Sequence, residues 1–61
     1  MMIKATGTDF KTVWINPERM NTVSVQDNGL TGITFGGGDF LMVRETVDEV
    51  IASCARKDLT N

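Results

Sequence analysis

Residues 20–35 read MNTVSVQDNGLTGITF. Val23 and Val25 alternate with Thr22 and Ser24, the two-residue period of a half-buried strand. Asp27-Asn28-Gly29 follows, and Asn and Gly tolerate the positive φ that tight hairpin turns require. Leu30–Phe35 then resumes a β-branched and apolar run. The stretch therefore reads as a hairpin, with strands at about 20–26 and 30–35, and it sets an antiparallel β architecture that the flanks extend.

Toward the C-terminus, Gly36-Gly37-Gly38 turns the chain into a further strand at about 39–43. Toward the N-terminus, Asn16-Pro17-Glu18 is a break, because proline cannot donate to a ladder and favours a turn. Before it, Gly7-Thr8-Asp9 separates two β-prone runs, about 2–6 and 10–15, and a second hairpin is the natural reading. After residue 43 the period changes. Thr46-Val47-Asp48-Glu49 fits a capping box, and Asp48 and Glu49 suit the positive N-terminus of a helix. Val47, Val50, Ile51, Cys54 and Ala55 fall on one helical face, with Arg56 and Lys57 in the last turn. The helix runs from 47 to about 57. The expectation is one domain over 1–61 of the α+β class, mainly β: a five-strand antiparallel meander or half-barrel with one C-terminal amphipathic helix packed on one face.

A domain of 61 residues buries only about 60% of its unfolded surface and is marginal alone. Chains this short usually add disulfides, a metal or oligomerisation. Cys54 is the only cysteine and there is no histidine, so an internal disulfide is excluded and a structural zinc site is disfavoured. Oligomerisation is the remaining device. Six basic and eight acidic residues give a net charge of −2, which supplies no general field for nucleic acid. No stretch approaches the length of a membrane span, and Met1-Met2-Ile3-Lys4 opens no signal peptide. A protein of the cytoplasm of whatever cell makes it is expected.

Sorting the strands by parity gives the sheet two faces. Val13, Ile15, Val23, Val25, Ile33, Phe35, Leu41 and Val43 form an aliphatic face suited to the helix. Trp14, Met20, Leu30, Phe40 and Met42 fall on the other face, among Thr12, Asn16, Thr22, Ser24 and Arg44. Folded over by its own loops, this second face needs no partner. Left in water, it exceeds what monomers usually expose, and a subunit interface with a ligand site at its rim is the reading preferred. A bulge in any strand would swap that strand's residues between faces.

No catalytic constellation is visible, and no cofactor or metal is expected. Cys54 lies on the apolar helix face and reads as a small buried hydrophobe. Asp9, Asp27, Asp39, Glu45, Asp48 and Glu49 sit at turns or at the helix start, where turn chemistry and capping explain them. Gly36-Gly37-Gly38 is followed by Asp39 and a strand, whereas a phosphate loop needs Lys, then Ser or Thr, then a helix. A hairpin loop is the better reading. Arg19 and Arg44 are the cations of most interest, since a guanidinium fork suits phosphate or carboxylate and Trp14 or Phe40 offers a stacking surface. Trp14, Asn16, Arg19, Phe40 and Arg44 form the expected ligand-binding set. Trp14, Met20, Leu30, Phe40 and Met42 form the expected interface.

Three segments carry a family likeness: Ile15-Asn16-Pro17-Glu18-Arg19-Met20, then Gly29 through Gly37, then Val43-Arg44-Glu45-Thr46-Val47-Asp48-Glu49-Val50-Ile51. Across residues 2–52 the chain resembles the small FlbD-type flagellar and swarming-motility proteins. That resemblance implies a non-catalytic module that binds another polypeptide. A slighter likeness, Val43-Arg44-Glu45 running from the last strand into the helix, is to the carbon storage regulator family of RNA-binding dimers. It would place an RNA contact on Arg44, but the basic first strand of that family is missing. RNA would then rest on few phosphate contacts and bind weakly. The remaining alternative follows from the aromatic and arginine cluster: a phage-type sponge that sequesters a nucleotide-derived immune signal at subunit interfaces. The partners expected are therefore a second copy of the chain and either a protein or a nucleotide-like small molecule.

Overall fold

The computed structural model describes residues 1–59, with side chains described through Ala55. Strands β1 (Ile3–Thr6) and β2 (Thr12–Ile15) form one antiparallel hairpin. A single 3-10 turn (Pro17–Arg19) leads into β3 (Met20–Val25), β4 (Thr31–Phe35) and β5 (Phe40–Val43), which pair antiparallel in that order. Helix α1 (Val47–Leu59) follows. One bridge between Gly7 and Val43 joins the two sheets, reinforced by the Arg44 amide donating to the Thr6 carbonyl at 2.8 Å. The five strands are antiparallel and mainly β with one helix, as the sequence indicates, and they do not close into a barrel. The side chains of Arg56 and Lys57 lie outside the described residues.

All three hairpins close with a three-residue loop, and the third differs in that Gly37 also takes a positive φ (95°). Gly7 bonds Lys11, Gln26 bonds Leu30 and Phe35 bonds Asp39, each leaving three residues between the bonded pair. Such loops place their third residue in the left-handed region. Gly29 (φ 83°) and Gly38 (φ 91°) fill that place without strain. In the first loop the place belongs to Phe10 (φ 67°), which the sequence reading put in a strand. A side chain there costs roughly 1–2 kcal/mol. Part of this is offset by the Arg44 guanidinium, which lies 3.8 Å from the centre of the Phe10 ring.

Ile3 and Ala5 of β1, Ile15 of β2, Ile33 of β4, Val43 of β5 and Val50 of α1 make up the buried core. Two residues depart from the faces that parity assigns them. Val25 ends the outermost strand and is exposed. Met20, expected on the uncovered face, packs against the core, with its sulfur 3.9 Å from Cys54 Sγ. The cause is a bulge. Met20 pairs with Phe35 but Thr22 pairs with Thr34, so Asn21 is an extra residue and the parity inverts between positions 20 and 22.

The helix begins as its sequence dictates. The Thr46 hydroxyl accepts from the Glu49 amide at 3.1 Å, and Glu49 Oε1 accepts from the Thr46 amide at 2.8 Å. This is the reciprocal capping box. Thr46→Ala removes one acceptor and is expected to cost about 1 kcal/mol, read as a lowered urea midpoint with unchanged slope. The buried stripe is narrower than the sequence suggests. Val50 is buried and Val47 and Cys54 are half-buried, while Ile51 and Ala55 are exposed. Each step along a helix turns the side chain by about 100°. Docking on β1 and β3 along the Val50 line therefore carries Ile51 out toward solvent.

Candidate binding site

β2 ends in Trp14 and Ile15, and the chain must then turn to reach β3. Asn16 initiates this turn. Its Oδ1 accepts from the Glu18 amide at 3.1 Å, and its carbonyl accepts from the Arg19 amide. Pro17 opens the 3-10 turn, where its missing N–H costs nothing. The Arg19 carbonyl in turn accepts from the Gly36 amide at 3.1 Å, which pins the turn to the loop between β4 and β5.

This local arrangement creates an open pocket of about 350 Å³. Trp14, Ile15 and Asn16 line it from β2 and its end, Arg19 from the 3-10 turn, and Phe35, Gly36, Asp39, Phe40 and Leu41 from the β4–β5 hairpin. Trp14 is 61% exposed and Phe40 53% exposed, so both ring systems are available. Arg19 and Asp39 put one positive and one negative group on the same lining. Their formal charges cancel. An occupant that is uncharged or zwitterionic meets no net field there, whereas a polyanion meets Asp39 as well as Arg19.

Four of the five residues expected to bind a ligand therefore stand together: Trp14, Asn16, Arg19 and Phe40. Arg44 does not join them. Its guanidinium donates to the Thr8 carbonyl at 2.7 Å and covers the Phe10 ring. The parity argument put Arg44 beside Trp14 and Phe40. The tight first hairpin loop instead presents Phe10 and a bare carbonyl directly beside it. Of the expected interface residues, Trp14 and Phe40 share the pocket. Met42 is half-buried and lines a second groove of about 440 Å³, together with Gly7, Thr8, Asp9, Val13, Phe40 and Leu41. Leu30 is half-buried just before β4, where its amide donates to Asn28 Oδ1. Met20 belongs to the core, as described.

Sequence reasoning missed Asp39 as a lining residue, because its place after three glycines is explained by turn chemistry alone. It also missed Glu45. Glu45 Oε1 accepts from the Thr6 amide and Oε2 from the Thr6 hydroxyl, both at 2.8 Å, while its own carbonyl accepts from the Thr31 hydroxyl at 2.6 Å. Burial pushes this carboxyl's pKa up, but the Thr6 hydrogen bonds outweigh it and hold the group below its ordinary value. Glu45 is a clamp between β1, β4 and the start of the helix, with no place in the pocket.

Among the described residues no three His, Cys, Asp or Glu side chains gather as metal ligands. None of the described helices is long and apolar enough to cross a membrane. The fold and its pocket define a small antiparallel β domain with one C-terminal helix and an open aromatic cleft. The chain belongs to the FlbD family of flagellar and swarming motility proteins, whose family model matches residues 2–57. No curated protein and no solved structure matches it.

Proposed function

We propose that this chain is a non-catalytic binding protein of the FlbD family, that it works as a homo-oligomer in the cytoplasm, and that it binds a protein partner through the Trp14–Phe40 pocket and the surface around it. The observation that carries this reading is the gathering of Trp14, Asn16, Arg19 and Phe40 around one open pocket with two exposed rings. Large aromatics are enriched in protein interfaces, and a chain this short gains stability from association. Sedimentation at micromolar concentration tests the oligomer. Association that weakens on Trp14→Ser, with the secondary structure retained, is the expected result. A stable monomer throughout that range contradicts it.

The nucleotide-sponge alternative draws on the same pocket, since Trp14 or Phe40 can stack on a base beside Arg19. It loses Arg44, which is engaged with Thr8 and Phe10, and it must tolerate Asp39. A ligand that binds only the native state raises the melting temperature. A panel of nucleotides and cyclic nucleotides is expected to leave it unchanged. A shift that disappears in Arg19→Ala would favour the sponge over the protein partner.

A further inference from the structure

The lining of the Trp14–Phe40 pocket carries two charged residues, Arg19 and Asp39. Both are exposed. Among the described residues, the Arg19 guanidinium and the Asp39 carboxylate have no hydrogen bond or ion pair, to each other or to another group. Their backbones are nonetheless held in place. The Arg19 carbonyl accepts from the Gly36 amide at 3.1 Å, and the Asp39 carbonyl accepts from the Phe35 amide at 2.9 Å. The protein therefore keeps one positive and one negative side chain beside two exposed rings and satisfies neither charge itself.

A polypeptide that covers this pocket takes both charges out of water. A covered charge is costly unless it is paired, so the covering surface must bring one acid and one base to the same contact. A basic segment drawn to the rings meets Arg19. An acidic segment meets Asp39. A neutral apolar segment leaves both charges unpaired. The same pocket on a second copy of the chain carries the required pair. In a two-fold interface, a residue that contacts a different residue of the other copy is matched by the reverse contact across the axis. Arg19 against Asp39 then occurs twice, and neither charge is left without its opposite. The rings suit this arrangement too. Trp14 stands on the β1–β2 sheet and Phe40 on the β3–β5 sheet, both more than half exposed. Aromatic residues at the centre with charges at the margin are the usual composition of an interface.

We infer that two copies of the chain meet across this pocket on a two-fold axis, with Arg19 of each copy paired to Asp39 of the other. The inference rests on the homo-oligomer reading and specifies its contact. Each pocket is incomplete without the charges of the other copy.

The test is charge reversal, read by sedimentation of the full chain at micromolar concentration, with circular dichroism to check the fold. Arg19→Asp puts two acids on each lining and Asp39→Arg puts two bases there, so every pair across the axis becomes like-charged. Each variant should raise the dimer dissociation constant about a hundredfold. Asp39→Arg also removes the net charge of −2. General repulsion alone would then let it associate more tightly than the parent, whereas the reversed pair makes it weaker. Mixing the two variants should restore the dimer, because each supplies the charges that the other lacks. Exchanging both residues in one chain should restore it as well.

Association that survives both reversals but is lost in Trp14→Ser overturns the paired charges and leaves the homo-oligomer reading standing. A parent chain that is monomeric throughout overturns both. Rescue by the double exchange without rescue by mixing would mean that Arg19 and Asp39 act within one chain, and overturns the inference. A trimer has no two-fold axis and overturns it also. If a reversed variant fails to fold, Arg19→Gln and Asp39→Asn supply the same test. Each should weaken association, and their combination should cost less than the two losses added in free energy. Strictly additive losses overturn the pairing.

Discussion

Ile33→Ala is expected to leave much of the protein unfolded at 25 °C. Ile33 sits in the middle strand of the three-stranded sheet, paired to Val23 on one side and Leu41 on the other, and its side chain is fully buried. Truncating a buried Ile to Ala costs about 2–5 kcal/mol, because the lost transfer energy is joined by the cost of the cavity left behind. A single core in a chain this small rarely supplies more than about 3–5 kcal/mol in total. The two quantities are of the same size, so one substitution exhausts most of the stability. Ile33→Val removes one methylene and should cost about 1 kcal/mol, leaving a folded protein with a lower urea midpoint. Circular dichroism against urea separates the cases. The same measurement bears on association. If subunits stabilise each other, the midpoint of Ile33→Ala rises with protein concentration. An Ile33→Ala protein as stable as Ile33→Val would show that the core has room to collapse around position 33.

What could be read from the chain and what could not divides along the range of the interactions. The Asp27-Asn28-Gly29 turn and the Thr46–Glu49 cap are decided within four residues, and both stand where the sequence puts them. The strands follow because each alternates over a short run between such turns. The bulge at Asn21 leaves no mark in composition, since Met-Asn-Thr-Val is as good a regular strand as a bulged one. It nevertheless moves Met20 from one face to the other. Phe10 was equally opaque. An aromatic residue after Gly7-Thr8-Asp9 has strand propensity, and only the closure of the Gly7–Lys11 pair forces it into the left-handed region. That closure then decides Arg44, which finds Phe10 and the Thr8 carbonyl rather than Trp14. The pocket was legible to the extent that its residues come from the ends of predicted strands, as Trp14 and Phe40 do, or from the break beside one, as Asn16 does. Asp39 and Gly36 enter it through the approach of the 3-10 turn to the β4–β5 loop, a tertiary contact that no local pattern records.

Glu45→Ala should be the most damaging change outside the core, because Glu45 makes the longest-range side-chain hydrogen bonds among the described residues. Its carboxylate reaches Thr6, 39 residues away in sequence, and its carbonyl holds the buried Thr31. Removing the side chain deprives the Thr6 amide and hydroxyl of their acceptor where β1 meets the end of β5. Hydrogen bonds to a charged group contribute about 1.5–3 kcal/mol, and part of that is recovered here by solvent at a half-buried site. A loss of about 2 kcal/mol is therefore expected. The pH dependence has a definite sign. Burial raises the pKa of this carboxyl, the Thr6 bonds lower it more, and the folded value lies below the unfolded one. Its contribution is then fully present above the unfolded pKa and is lost as the pH falls through the folded pKa. Glu45→Gln keeps one acceptor but has no charge to titrate. In urea midpoints followed from neutral pH into acid, the unaltered protein should lose stability more steeply than Glu45→Gln, and the two curves should converge at the acid end. Parallel curves would mean that the clamp acts through its shape alone. A Glu45→Ala protein as stable as the parent at neutral pH would mean that the bridge between Gly7 and Val43 holds the two sheets together without it.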